Sequence, residues 1–484
     1  MAQVFKNSAL RAEQIQKLQE DKVWDAVIIG SSPVGIGIAV DAATRGFSVL
    51  LLQSEDFASG AAGSSSKIIE PDLNLLRNPK TWGRFKAEIT ERSLLAKNAP
   101  DQTKPIDLII PFYESFKSEA WFGLMSAVNL ASPSGSSLGD ISWMSAANVI
   151  RRLPGIKPEG LTSGVKTSAL LIKDARLTIS VLKTALSHGA VAVNYMEVTN
   201  LVRNEKGLIS AVETKDLLTD QEYTVKTRMV FNCAGLNADK VRMMANPNAT
   251  PAISFREAPR VAVESKTFEG DAAAFIPSGS GSPRFLCVPG DLRSTVIMGP
   301  TAPKEDPETG SKKMPLEQLL DRAKQVMLFA PTPTTVKSYY VEECAVWLPN
   351  GKDSWPLAGS WEIVTEFHNL ITVVGSRWGN YRIAAEDAIS AAVEAGLMYK
   401  RPCQTQYLSL AREPDFDRDI LTKQVLFGQG LTPEVLEYAR YCHENEFAVS
   451  PDDVVLRRLR IGQLSQELAD KLIKQLADSE IFAE

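Results

Sequence analysis

Residues 24–53 read WDAVIIGSSPVGIGIAVDAATRGFSVLLLQ, and the order of residue types in them decides the fold. A short apolar run, 25–29, stops at Gly30. A stretch rich in Ala, Ile and Val follows from Pro33 to Arg45, and Gly46 ends it. A second apolar run fills 47–52. Strand, glycine turn, helix and strand in that order form the opening βαβ unit of a dinucleotide-binding fold. The turn lets backbone approach a pyrophosphate, and the helix N-terminus holds its negative charge. The pattern G-x-G-x-x-G is incomplete: Ser32 stands at the second glycine, while Gly30, Gly35 and Gly37 remain. Gln53 stands where an acidic residue is expected, about 20 residues on. Its amide oxygen can still accept a hydrogen bond from a ribose hydroxyl, without the charge. An ordinary βαβ unit with a glycine-rich turn has the same outline.

The chain has 484 residues, enough for two or three domains with a substantial core. Hydrophobic residues make up 44% and charged residues 23%, the balance of a soluble globular enzyme. A net charge of −5 gives no electrostatic footprint for nucleic acid. No apolar run approaches the length of a membrane span, and residues 1–20 lack the apolar core of a signal peptide. They read instead as a polar helix capped by Asn7 or Ser8. Cys233, Cys287, Cys344, Cys403 and Cys442 are scattered without CxxC pairs, which suits a reducing, cytoplasmic compartment. His188, His368 and His443 have no metal-type neighbours at useful spacing, so no metal is expected.

After the first βαβ unit comes a loop of small residues, SGAAGSSSK at 59–67. Its place suits close contact with a ligand; its composition alone suits a linker. A helix is expected at 174–188, then strands at 190–194, 197–202, 208–214 and 222–231, the last running into the small residues Cys233, Ala234 and Gly235. From 253 to 346 short strands alternate with turns and one helix, 316–328. A strand at 369–374, a loop at 375–381 and an Ala-rich helix at 382–395 repeat the strand–glycine–helix order. The tail reads as helices at 433–444, 451–460 and 465–478. Arg457, Arg458 and Arg460 form a basic cluster in it, read as a solvated helix face, with an anionic partner or lipid surface as the lesser alternative.

Several pieces together resemble one family: DAATRGFSVLLL followed by EDFASG; the Ser65-Ser66-Lys67 triplet; Asp174-Ala175-Arg176-Leu177; Asn232-x-Ala234-Gly235; and Tyr381-Arg382-x-x-Ala385-Glu386-Asp387. Cys403-x-Thr405-x-x-Leu408 and the stretch 453–460 extend the likeness into the tail. The family is that of the FAD-dependent glycerol-3-phosphate dehydrogenases, in the D-amino-acid-oxidase superfamily of flavoproteins. The resemblance implies an α/β fold: a Rossmann-like FAD-binding domain (1–110, 160–250 and 350–402), a β-sheet-rich substrate domain (111–159 and 251–349) and a C-terminal all-α domain (403–484). It implies non-covalent FAD held by Gly30, Ser32, Pro33, Val34 and Gly35 at the pyrophosphate, and by Gln53 and Ser54 at the ribose. Ser65, Ser66 and Lys67 would run beside the flavin, the Val198 backbone would meet the adenine, and Ala234 and Gly235 would lie along the cofactor. Gly375, Trp378, Gly379, Asn380 and Tyr381 would sit near the pyrimidine edge.

The likeness breaks where substrate should bind. The family's His-Gly-Gly-Leu-Arg-Tyr-Leu is Glu70-Pro71-Asp72-Leu73-Asn74-Leu75-Leu76 here, and a second arginine position is Leu348. A phosphate monoester favours bidentate arginines, and an alcohol losing hydride needs a base for its proton. The expectation is therefore an FAD-dependent dehydrogenase or oxidase acting on an alcohol or amine C–H, with a substrate other than glycerol 3-phosphate. A genuine glycerol-3-phosphate dehydrogenase using other cations, and a non-catalytic flavin-fold protein acting by partner binding, are the alternatives. Glu70 is the candidate base, or a plain loop carboxylate. Arg377 is the candidate partner for charge developing on reduced flavin, or a surface arginine. Tyr381 orients substrate or packs. The expected partner is a small molecule. Peripheral contact at the inner face of a membrane stays open, and a dimer is compatible with the sequence.

Overall fold

The computed structural model describes residues 8–72, 75, 79–113, 123, 141–264, 270–276, 285–289, 294–299, 302–303, 316–329, 331–349, 360–412, 416 and 418–482. Its centre is a six-stranded sheet in the order Glu362–Glu366, Leu370–Val374, Val230–Asn232, Ala26–Ile29, Val49–Leu52, Val191–Val193. All neighbours are parallel except the edge strand Glu362–Glu366. Strands buried on both faces read as unbroken apolar runs, and Ala26–Ile29, Val49–Leu52 and Leu370–Val374 are buried at every position.

Helices Pro33–Thr44, Asp174–Ser187 and Tyr381–Glu394 contribute to one core with this sheet. Two of them approach closely at Gly37. A Cβ there would stand 3.0 Å from the Tyr381 ring and 3.1 Å from the Ala385 methyl. A small antiparallel meander (Met196–Arg203, Ile209–Asp216, Glu222–Thr227) joins Val23–Trp24 in a second sheet. The N-terminal helix is Ala9–Leu18, capped by Ser8, and Arg11 forms a fully buried pair with Asp216 at 2.9 Å.

A ten-stranded sheet forms the other layer. Its backbone is the pair Ile253–Glu264 and Val336–Trp347, together with the pair Thr103–Phe112 and Ser163–Ile172. That second pair runs across the domain boundaries expected at 110 and 160. Ten consecutive partners, Thr103 opposite Ile172 through Phe112 opposite Ser163, place both strands in the large sheet rather than in the parallel one. Ile68–Ile69 adds to the same edge. The helix Trp82–Asn98 and these long strands were not anticipated. Much of the segment 111–159 lies outside the described residues.

The tail is helical, as expected, with its own core around Val435, Tyr438, Val454 and Leu472. The basic cluster is not a solvated face. Arg458 is fully buried and donates to both oxygens of Asp56, at 2.6 and 2.8 Å. Arg457 pairs with Asp453, and Arg460 lies 2.7 Å from Asp174. A buried cation needs a paired anion, and the first domain supplies two of these carboxylates. No helix among the described residues is long and apolar enough to cross a membrane.

Candidate active site

Because the parallel strands point the same way, their carboxyl ends open onto one edge: Gly30 after the first strand, Gln53 after the second, Cys233 and Ala234 after Val230–Asn232, and Gly375 after Leu370–Val374. Ligands in such sheets bind at that edge. A cleft of about 640 Å³ runs along it, between the parallel sheet and the large sheet.

The glycine turn explains how Ser32 can replace glycine. Ser32 has φ −57°, open to any residue, and its Oγ caps the helix by accepting from the Gly35 N–H at 3.3 Å. Gly30 does need to be glycine: its φ is +98°, and a Cβ would meet the Cys233 carbonyl oxygen at 2.6 Å. Gly35 does not line the cleft. It lets the helix close on the strand, where a Cβ would sit 2.2 Å from the Gly30 carbonyl oxygen. Gln53 lines the cleft, but its Oε1 accepts from the Ser31 N–H at 2.8 Å and its Nε2 donates to Ser59 Oγ at 3.2 Å. The expected ribose contact is thus already engaged in holding the turn.

Ser32, Pro33, Val34, Ser54, Ser65, Ser66, Val198, Ala234 and Gly235 all line the cleft. So do Gly375, Trp378, Gly379 and Asn380. Gly235, at φ +58°, leaves open space where a side chain would stand. Trp378 donates its indole N–H to the Ala62 carbonyl at 3.0 Å, and Asn380 Oδ1 accepts from the Arg377 N–H at 2.8 Å, closing the 376–380 loop. Two of the expected residues stand off the cleft lining. Lys67 turns its ammonium into the protein, to Asp174 and the Gly63 carbonyl, and does not line the cleft. Tyr381 is also outside it: its ring packs edge-on to Trp378 at 5.2 Å under Gly37, and burial pushes its phenol above the usual range.

Glu70 and Arg377 line the cleft. Arg377 is exposed there, and its guanidinium makes no ion pair among the described residues. Several charged residues beside them were not anticipated. The helix Trp82–Asn98 presents Phe85, Glu88, Ile89 and Arg92 to the cleft, spaced i, i+3, i+4, i+7 on one face. Burial pushes the Glu88 carboxyl up to about 7, against the pull of Arg84, whose Nε donates to it at 3.1 Å. Burial lowers the Arg92 guanidinium to about 10; its Nη1 donates to the Ser168 carbonyl at 2.5 Å. Arg256 and Arg260, four apart on one strand, line the wall, and Arg260 pairs with Glu342 on the adjacent strand. Their spacing puts each pair on one face of its helix or strand, but does not say that this face meets the cleft. Asn74, at a family arginine position, lies outside the described residues; Leu348 does not line the cleft. None of His188, His368 and His443 lines it either, and no metal-type cluster occurs among the described residues.

Fold and cleft together define a dinucleotide-binding protein of three sheets and a helical tail. Residues 25–379 match the family described as FAD dependent oxidoreductase, and the chain belongs to that family. It is 24% identical to a probable mitochondrial glycerol-3-phosphate dehydrogenase of Caenorhabditis elegans, over 96% of this chain and 71% of that one. It is also 24% identical to a probable glycerol-3-phosphate dehydrogenase of Encephalitozoon cuniculi, over 97% and 83%. Among solved structures, the glycerol-3-phosphate dehydrogenase of Bacillus halodurans complexed with FAD superposes with a TM-score of 0.73 at 21% identity, covering 97% of this chain and 93% of that one.

FAD fits the cleft. The N–H groups of Ser32 and Val34 at the helix N-terminus have no partner among the described residues, and both residues line the cleft. That is an anion site of the kind a pyrophosphate takes. The glycine-free space at Gly235 and the wall of Ser65 and Ser66 suit an extended cofactor.

Proposed function

We propose that this chain oxidises an alcohol or amine C–H of a small substrate carrying a single anionic group, and that glycerol 3-phosphate is not its preferred substrate. FAD supplies the hydride acceptor, its N5. The observation that carries the reading is the mixed charge of the cleft. Arg92, Arg256, Arg260 and Arg377 stand in it, but Glu70, Asp72, Glu88 and Glu342 stand with them. A dianionic phosphate gains from the arginines and loses nearly as much to the carboxylates. A hydroxy acid or a zwitterionic amine, with one anionic group, does not carry that second penalty.

In this reading Arg377 binds the anionic group or offsets charge developing at the flavin N1–O2 edge. Glu88, held near neutrality, takes the proton as hydride leaves. Glu70, at the family's histidine position, is the other carboxylate able to do so. The test is anaerobic mixing of the FAD-loaded protein with glycerol 3-phosphate and with a panel of hydroxy acids and amino acids. Bleaching of the flavin by members of the panel and none by glycerol 3-phosphate is expected. Rapid bleaching by micromolar glycerol 3-phosphate overturns the substrate reading and favours a glycerol-3-phosphate dehydrogenase with rearranged cations.

A further inference from the structure

We propose that the C-terminal helical domain is a clamp on the cofactor, acting through Arg458 and Arg460 on the two ends of the segment 54–67. This rests on FAD occupying the cleft. Ser54, Ser59, Gly60, Ala62, Ser65 and Ser66 in that segment line the cleft, while no described residue beyond 380 does. The tail therefore reaches the cofactor only by way of other residues.

The first grip is a hydrogen-bonded pair, and the second is a close ion pair without hydrogen-bond geometry. At the start of the segment, Arg458 is bidentate on Asp56 and donates a third bond to the Glu446 carbonyl at 2.8 Å. Asp56 in turn accepts from the Ala58 N–H at 3.1 Å. At the far end, Asp174 is the hub. Its Oδ2 accepts from the Ser65 N–H at 2.9 Å, from the Ser65 hydroxyl at 2.8 Å and from Lys67. Its Oδ1 faces Arg460 at 2.7 Å. Both carboxylates are fully buried. Arg176 adds a third strut, bidentate on Glu446 at 2.6 and 2.7 Å.

Arg460 is also held where arginine is uncomfortable. Its φ and ψ are +63° and +29°, a left-handed conformation that glycine adopts freely and other residues do not. If the residue served only the local fold, glycine would suit it better. The guanidinium reaching Asp174 is what the position offers instead.

Arg460→Gly removes the grip and leaves Asp174 to Ser65 and Lys67, so it should release FAD faster, while relief of the left-handed backbone offsets part of the stability lost with the buried pair. FAD release is read by recovery of flavin fluorescence on dilution, with unfolding followed by circular dichroism. Roughly tenfold faster release is expected for Arg460→Gly, within the usual range of coupling between sites. Arg460→Lys should restore part of it. The double variant Asp174→Asn/Arg460→Gly should release no faster than Asp174→Asn alone, because both act through one hub. Arg440→Met, which removes an exposed pair with Glu480, should match the parent.

The unmodified protein supplies an independent reading. Coupling is reciprocal, so FAD should slow hydrogen exchange in the tail at Val449 and Ser450, whose N–H groups donate to Asp453, and at Leu459. Release from Arg460→Gly within twofold of the parent, or tail amides indifferent to FAD, overturns the clamp. A parent that takes up no FAD overturns the clamp and the cofactor assignment together.

Discussion

A carboxyl group that leaves water to line a cleft must either find a cation or keep its proton. Glu88 does some of each, with Arg84 at 3.1 Å and burial raising it to about 7. A base near the working pH is the efficient one. Flavin reduction should therefore rise with pH through about 7, as Glu88 gives up its proton, and Glu88→Gln should abolish that step and slow reduction by roughly 10²–10⁴-fold. Glu70→Gln in parallel assigns the role: if the loss falls there and not at Glu88, the family's histidine position has kept its duty. The same shift acts on stability. Between the ordinary carboxyl range and about 7, the folded protein holds a proton that the unfolded chain has released. Raising pH across that window weakens the fold, and Glu88→Gln should flatten the dependence in pH-resolved thermal melts. Glu70 and Arg377 were legible because they sit in glycine- or proline-marked loops next to recognisable motifs. Glu88, Arg92, Arg256 and Arg260 were not. Their side chains reach the cleft only because packing turned one face of a helix and one face of a strand towards it.

The helix Trp82–Asn98 is the element the sequence concealed. A short turn, Pro79–Thr81, leads into it, and its N-cap position, Thr81, makes no capping bond. Tertiary contacts hold it. Glu91 is bidentate on Arg382 of the helix Tyr381–Glu394, at 2.8 and 2.6 Å, and both are buried. Breaking a buried pair costs about 3–5 kcal/mol. Arg382 also keeps Glu386 at 2.8 Å, which moves the expectation to the low end of that range. Glu91→Ala should lower the thermal midpoint by several degrees and loosen the helix that carries Glu88 and Arg92. A midpoint unchanged from the parent would show that the docking comes from Phe85 and Ile89 instead. The βαβ unit, by contrast, was legible almost to the residue, since its glycines and its 3.6-residue helix period are local signals.

For the whole molecule, FAD should be bound without a covalent tether. No histidine lines the cleft, and Cys233 is buried with its thiol pushed far from ionisation. Acid or heat should release all of the yellow colour into the supernatant, and a pellet that stays coloured would contradict this. Added FAD should raise the melting temperature in step with its concentration, by about 2.7 kcal/mol of stabilisation at a hundredfold excess over the dissociation constant. The parallel sheet was readable from motif sequence, while the long strands of the large sheet were not. The strands Thr103–Phe112 and Ser163–Ile172 pair at long range and carry no motif of their own.

The parallel sheet also sets a timetable for biosynthesis. Ala26–Ile29 lies beside Val230–Asn232, which lies beside Leu370–Val374, so the three strands that make the centre of the sheet are spread over residues 26–374 of the chain. At about 5–20 residues per second the ribosome needs roughly 20–70 s to deliver the last of them. For all that time the nascent chain carries apolar strands whose edges are unpaired, the condition under which polypeptides aggregate. Yield of this protein should therefore respond to slower, cooler expression and to holding chaperones more than to any stabilising change in its finished core.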